Sequence, residues 1–62
     1  MTLEQLFEMF PRPWQRSRHQ VGVLLDVNGQ DVLTVDVNGE RADEEVIAIV
    51  DALANLGNNA KI

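Results

Sequence analysis

The sequence contains no cysteine among its 62 residues. Disulfide bonds and thiolate metal sites are therefore excluded, although they stabilise many proteins of this size. Aromatic residues are also scarce, since only Phe7, Phe10 and Trp14 are present. A core must come mainly from aliphatic packing, and the length allows a single small domain, residues 1–62.

Long hydrophobic runs are missing as well. The longest, Val46–Val50, is much shorter than the roughly 20 residues that a membrane helix requires. The N-terminal segment carries Glu4 and Glu8 in place of a basic region, so we expect no signal peptide. These features predict a cytoplasmic protein that does not bind a membrane.

Positive charge is the third deficit. The chain has ten acidic and five basic residues, which gives a formal charge of −5. Such a surface repels phosphate backbones, so we do not expect nucleic acid as the main partner. The 45% content of hydrophobic residues, arranged with regular periods, favours a folded domain over a disordered chain.

The N-terminal segment has the pattern of a short amphipathic helix. Thr2 and Gln5 form a capping box, and the apolar residues that follow have helical spacing. These are Leu3, Leu6, Phe7 and Phe10. We predict a helix at about residues 2–10, ended by Pro11 and Pro13, and a connector at 11–19.

A repeated Asp-Val-Asn-Gly sequence begins at Asp26 and again at Asp36, and Asn-Gly is a strong turn signal. We predict an antiparallel hairpin with strands at about 20–26 and 31–37. A strict two-residue loop would pair Val23 with Thr34, so we prefer an odd loop with Gly29 as a left-handed bulge residue. That register places one set of apolar residues on the core face: Val21, Val23, Leu25, Leu33, Val35 and Val37.

After the second turn, the apolar residues again have helical spacing, from Val46 to Leu56. We predict a helix at about 42–56, with Gly57 as the residue that ends it and 57–62 as a tail. Val46, Ile49, Val50 and Leu53 are expected to face the hairpin. The fold class is α+β, with a short N-terminal helix, an antiparallel hairpin and a C-terminal helix packed on the apolar face of the hairpin.

No residue pattern predicts catalysis, a metal site or a cofactor. The first turn supplies oxygen atoms that Ca²⁺ prefers, but a calcium loop needs glycine at its sixth position, whereas Gly29 stands at the fourth. His19 is the only histidine, and we interpret it as a surface residue. We therefore expect a protein that is not an enzyme.

The segment from Arg12 to Arg18 is the candidate partner-binding surface. Arg12, Trp14, Arg16 and Arg18 combine positive charge with an aromatic ring, as single-strand nucleic-acid binders do. Alternatively, Trp14 packs in the core and the arginines pair with the surplus acids. Given the acidic remainder, we favour contact with an acidic protein surface.

Self-association is predicted from the size of the chain. A lone hairpin has two unpaired edges, and a second copy would cover them. Leu24, Val32 and Ile47 are left over after the core is assigned. We therefore expect a homodimer that uses these three residues.

Three parts of the sequence resemble a group of small phage- and prophage-encoded proteins. Those proteins begin with Pro-Trp, and this chain has Pro13-Trp14. They continue with a hairpin that contains Asp-x-Asn-Gly, which is similar to the Asn28-Gly29 hairpin up to Val32. They close with an Ala/Ile/Leu helix, which is similar to the pattern of Ala42–Leu53. The similarity covers residues 13–56. It implies an accessory protein in a phage-like context, and it implies no activity and no site residues.

These observations predict a small interaction module that binds an unidentified protein and modulates a host protein if the phage context holds. An alternative is an acidic nucleic-acid mimic that blocks a DNA- or RNA-binding protein, with Asp36, Glu40, Asp43, Glu44 and Glu45 on its acidic face. A third possibility is weak nucleic-acid binding through the Arg/Trp segment.

Overall fold

The computed structural model describes all residues, 1–62, and has the predicted α+β class. Two helices flank a small antiparallel sheet. In chain order the elements are α1 (Leu3–Met9), β1 (Gln15–Arg16), β2 (Val23–Leu25), β3 (Asp31–Thr34) and α2 (Asp43–Asn59). No helix combines the length and the apolar content that a membrane crossing requires.

Helix α1 begins with the capping box that the sequence predicts. The backbone N–H of Gln5 donates to Thr2 Oγ1 at 3.1 Å, and the backbone N–H of Thr2 donates to Gln5 Oε1 at 2.8 Å. Two N–H groups without helical partners are satisfied in this way. The helix ends before Pro11 and Pro13, as predicted.

The sheet has three strands in the order β1-β2-β3, all antiparallel. Strand β1 was missed, because residues 15–16 lie in the segment predicted as a connector. Gln15 pairs with Leu25 and Arg16 with Leu24. Two residues are too few to show a period-two pattern, so only the tertiary pairing defines this strand.

The loop of the hairpin is the odd one that the sequence predicts. Gly29 has φ +82°, its N–H donates to Asp26 O at 3.1 Å, and the N–H of Asp26 donates to Gln30 O at 2.9 Å. The predicted core face, however, is only partly correct, since Val23 is buried and Val35 packs against the core but Val21 and Val37 are exposed. Leu25 pairs with Asp31 but Leu24 pairs with Leu33, so Val32 is an extra, bulged residue that shifts the register by one. Beyond this bulge Val23 pairs with Thr34, which is the pairing that the prediction rejected.

The pattern of side-chain burial also departs from the prediction. Leu24 is fully buried, whereas Val21 is 50% and Val37 79% exposed. Both predicted strands are also too long. Gly22 has φ +90° before β2, and Asp36 has φ +56° where the second turn begins after β3, so the backbone leaves the extended conformation at both positions.

The core is a cluster of five buried residues, Trp14, Leu24, Val46, Val50 and Ala54. Half-buried Val32 packs against it. The prediction that Leu24 is free to meet a second copy is therefore wrong, since Leu24 is a fully buried member of the core. Ile47 is half-buried. The backbone of helix α2 lies close to β1 and β2 but not to β3.

Helix α2 extends three residues beyond its predicted end, to Asn59. Gly57 does not end it but is buried inside it, and a Cβ at this position would overlap the ring of Trp14. Glycine is required here for close approach, not for a left-handed conformation. The predicted tail shrinks to residues 60–62.

Candidate binding groove

Trp14 does not lie on the surface, as a partner-binding residue would. It is 7% exposed, its Nε1–H donates to Phe10 O at 2.8 Å, and its ring packs against Phe7 with 5.2 Å between centroids. The side chain of Asn58 also bonds to both the N–H and the C=O of Trp14, at 2.6 and 2.8 Å. Trp14 thus joins α1 to the C-terminal end of α2.

Two of the three neighbouring arginines are engaged within the chain. Arg12 Nη1 donates to the carbonyl oxygens of Gly57 and Ala60 at 3.1 and 2.6 Å, and its guanidinium lies 4.1 Å from the centroid of the Phe7 ring. Arg16 pairs with Asp51 at 3.0 Å. Only Arg18 is exposed and without an ion-pair partner. The four residues do not form one open surface.

The two repeated aspartates organise turns. Oδ1 of buried Asp26 accepts from the N–H groups of Asn28 and Gln30, both at 2.9 Å. The carboxylate of Asp36 accepts from the N–H groups of Glu40 and Arg41 at 3.1 and 3.0 Å. The bond from Asn28, two residues after Asp26, is that of an Asx turn, whereas the bonds to Asp36 come from residues four and five positions later. In both copies of the repeat the aspartate accepts backbone N–H groups of the turn that follows it.

Ser17 and His19 do not have the arrangement of a nucleophile and its base. Ser17 Oγ accepts from the backbone N–H of His19 and of Gln20, each at 3.2 Å. A nucleophilic serine would instead donate to the imidazole ring. The contact between the two residues is a local turn.

An apolar groove lies between α1, β3 and the C-terminal half of α2. Its volume is about 910 Å³. Ten of its thirteen lining residues are hydrophobic, the other three are Asn55, Gly57 and Asn59, and none is charged. The walls are formed by Leu3, Leu6 and Phe7 of α1, Val32 and Leu33 of β3, and Leu53 and Leu56 of α2, with Trp14 between them.

The groove exists because the sheet is only partly covered. Helix α2 leaves β3 free, and α1, at seven residues, is too short to fill the space. As a result, large apolar side chains remain at the rim: Leu3 is 50%, Leu33 37% and Leu56 70% exposed. Clustered exposure of this kind marks interaction sites on soluble proteins.

The sequence analysis does not predict this groove, although it assigns most of the lining residues to the apolar faces of helices and strands. Leu33 was assigned to the core face, and Leu56 to the apolar stripe of the C-terminal helix. The only signal was an apolar content larger than a core of this size requires. Which apolar residues would remain exposed depends on the angle at which α2 crosses the sheet.

No protein-family model, curated protein or solved structure matches this chain.

Proposed function

We propose that the protein is a small interaction module that binds an apolar segment of another protein in the groove between α1, β3 and α2. The observation that carries the proposal is the exposure of Leu3, Leu33 and Leu56 around one concavity. Burying such side chains against a partner contributes about 25 cal/mol per Å² of apolar area removed from water.

The chemistry of the groove supports binding without catalysis. None of its lining residues is ionisable, whereas general acid–base catalysis needs a titratable side chain within reach of the substrate. The groove is also open along one side, and a small-molecule site encloses most of its ligand. A protein segment therefore suits it better than a metabolite.

The acidic-mimic alternative has less support. Of its five proposed residues, Asp36 is bonded to the turn that follows it and Glu45 is paired with Arg41 at 2.6 Å. Glu40, Asp43 and Glu44 remain exposed without an ion pair. The similarity to small phage-encoded proteins suggests a partner in a bacterial host, and the binding mode proposed here is compatible with that context.

A random-peptide display library tests the proposal. Wild-type protein should enrich peptides whose hydrophobic residues share a common spacing, and Leu56→Ser should abolish their binding because it removes apolar surface from the groove. Val37→Ser is the matched control, because Val37 is equally exposed, at 79% against 70%, but does not line the groove. If no peptide is enriched, or if both variants bind like wild type, the proposal is wrong.

A further inference from the structure

Three exposed acidic residues are next to lining residues of the groove in the sequence, and none of them has an ion pair. Glu4 follows Leu3 and Glu8 follows Phe7 in α1, and Asp31 precedes Val32 in β3. All three are exposed, and none takes part in the two ion pairs of the structure. The only free cation adjacent to a lining residue is Lys61, beside Ala60.

The rest of the molecule adds to the negative charge near the groove. Arg12, Arg16 and Arg41 are held by internal carbonyl or carboxylate oxygens, and the whole chain carries −5. Such a field attracts basic partners and repels acidic ones. A second copy would bring another −5 to the same face, so charge disfavours it as the occupant.

The walls of the groove favour a helix over an extended strand. Strand β3 is the sheet edge beside the groove, but it has four residues and is interrupted by the bulge at Val32. Short, bulged edges are poor templates for strand addition. An amphipathic helix instead needs only an apolar groove for residues spaced three and four apart.

From these observations we propose that the occupant is a basic amphipathic helix of about four turns in a partner protein. Its apolar face would contact Leu33, Leu53 and Leu56, and its basic flanks would be attracted by the negative charge that Glu4, Glu8 and Asp31 add to this part of the surface. A helix of about 14 residues is about 21 Å long, so it could lie across the molecule, whose two shorter extents are 20 and 19 Å. This inference rests on the proposed function of the groove.

Titration with designed peptides tests it. Three peptides of about 14 residues are needed, a length set by the helical rise, and all three lack tryptophan and tyrosine. The first has a leucine stripe with lysine flanks, and the second has the same stripe with glutamate flanks. The third has the composition of the first in scrambled order. Trp14 is the only tryptophan and lines the groove, so its emission reports docking. Isothermal calorimetry provides a second readout.

We expect the lysine-flanked helix to bind at least about tenfold more tightly than the glutamate-flanked one at low salt, and to lose most of that advantage at about 0.5 M salt. Glu4→Gln with Glu8→Gln should weaken it several-fold. The control is Glu40→Gln with Glu44→Gln, which removes the same amount of charge. Glu40 is in the loop before α2 and Glu44 is in the first turn of α2, whereas the groove lies along the C-terminal half of that helix. This control should have a smaller effect.

The remaining outcomes separate the two proposals. Equal binding of the lysine and glutamate helices, both lost in Leu56→Ser, would overturn the basic partner and leave the groove as a binding site. Equal binding of the scrambled peptide would also overturn the helical occupant. A wild-type dimer that Leu56→Ser converts to monomer would assign the groove to a second copy. If no peptide binds, both proposals fail.

Discussion

Gly57 is the residue at which local preference and tertiary packing conflict most clearly. Glycine in a helix interior is normally destabilising by about 1 kcal/mol relative to alanine. Here, however, the flat ring of Trp14 lies directly against the α2 backbone at Gly57. The chain accepts a poor helix former because a larger residue would displace its only tryptophan.

The sign of the change in stability on Gly57→Ala distinguishes the effect of tertiary packing from that of helix propensity. Gly57→Ala should destabilise the protein by about 2 kcal/mol through overpacking, whereas helix propensity alone would stabilise it by about 1 kcal/mol. Urea denaturation followed by circular dichroism measures the difference. Asn59→Ala, at an exposed position two residues later, is the control and should be neutral or slightly stabilising. A gain in stability for Gly57→Ala would contradict the close packing on Trp14.

The repeated Asp-Val-Asn-Gly sequence shows that identical residues acquire different environments. Asp26 is completely buried, and its second oxygen, Oδ2, has no hydrogen-bond donor. Asp36 is half-buried, and both of its oxygens accept backbone N–H groups. The local turn chemistry follows from the sequence, but the degree of burial follows from what packs over each turn.

At the scale of elements, the C-terminal end of α2 is capped from outside the helix. Its last turn contains no basic residue, so its free carbonyl groups lack the usual local cation. Arg12 supplies this cation, although it precedes the two carbonyl groups that it binds, those of Gly57 and Ala60, by 45 and 48 residues in the sequence. The same side chain stacks on Phe7, so one arginine connects both helices.

Arg12→Met should therefore destabilise the protein by about 2 kcal/mol, through loss of charge-assisted hydrogen bonds and of the contact with Phe7. The methionine retains an apolar stem, which limits the loss of packing. Hydrogen exchange at the amides of residues 57–60 should accelerate before that at Val46 or Val50. Arg18→Met removes an equal charge at an exposed position and should change stability by less than about 0.5 kcal/mol. Similar losses in both variants would indicate a general charge effect instead.

At the scale of the whole molecule, the expectation of a homodimer loses one of its three contact residues, because Leu24 is fully buried. Val32 and Ile47 are half-buried, and each copy carries a charge of −5. The groove remains the one large apolar surface. The negative charge of each copy opposes a second copy until salt screens it.

We accordingly expect a monomer at moderate salt. The melting temperature should stay constant as protein concentration rises from about 10 to 500 μM, since linked folding and association would make it increase. Sedimentation velocity at about 0.1 and 1 M salt, where the screening length falls from about 10 to 3 Å, provides the second measurement. A melting temperature that climbs with concentration at the lower salt would contradict this expectation.

The sequence by itself determined the features that depend on neighbouring residues. The capping box at Thr2, the odd turn at Gly29 and the helical spacing after Val46 were predicted correctly, because each arises from local backbone geometry or from a short repeating pattern. Together they were sufficient for the α+β class. They also identified most of the apolar residues from which the groove is built.

Only the tertiary structure decided which apolar residues are buried and which stay open. The bulge at Val32 shifts the pairing of β3 by one residue, and such a shift exchanges the two faces of a strand. In the central strand β2, both Val23 and Leu24 are buried, because tertiary contacts cover both of its faces. Gly57 lies in close contact with Trp14 inside α2, which continues past its predicted end to Asn59. The groove arises where α2 leaves β3 uncovered, which depends on contacts between residues far apart in the chain and has no signature in any local pattern.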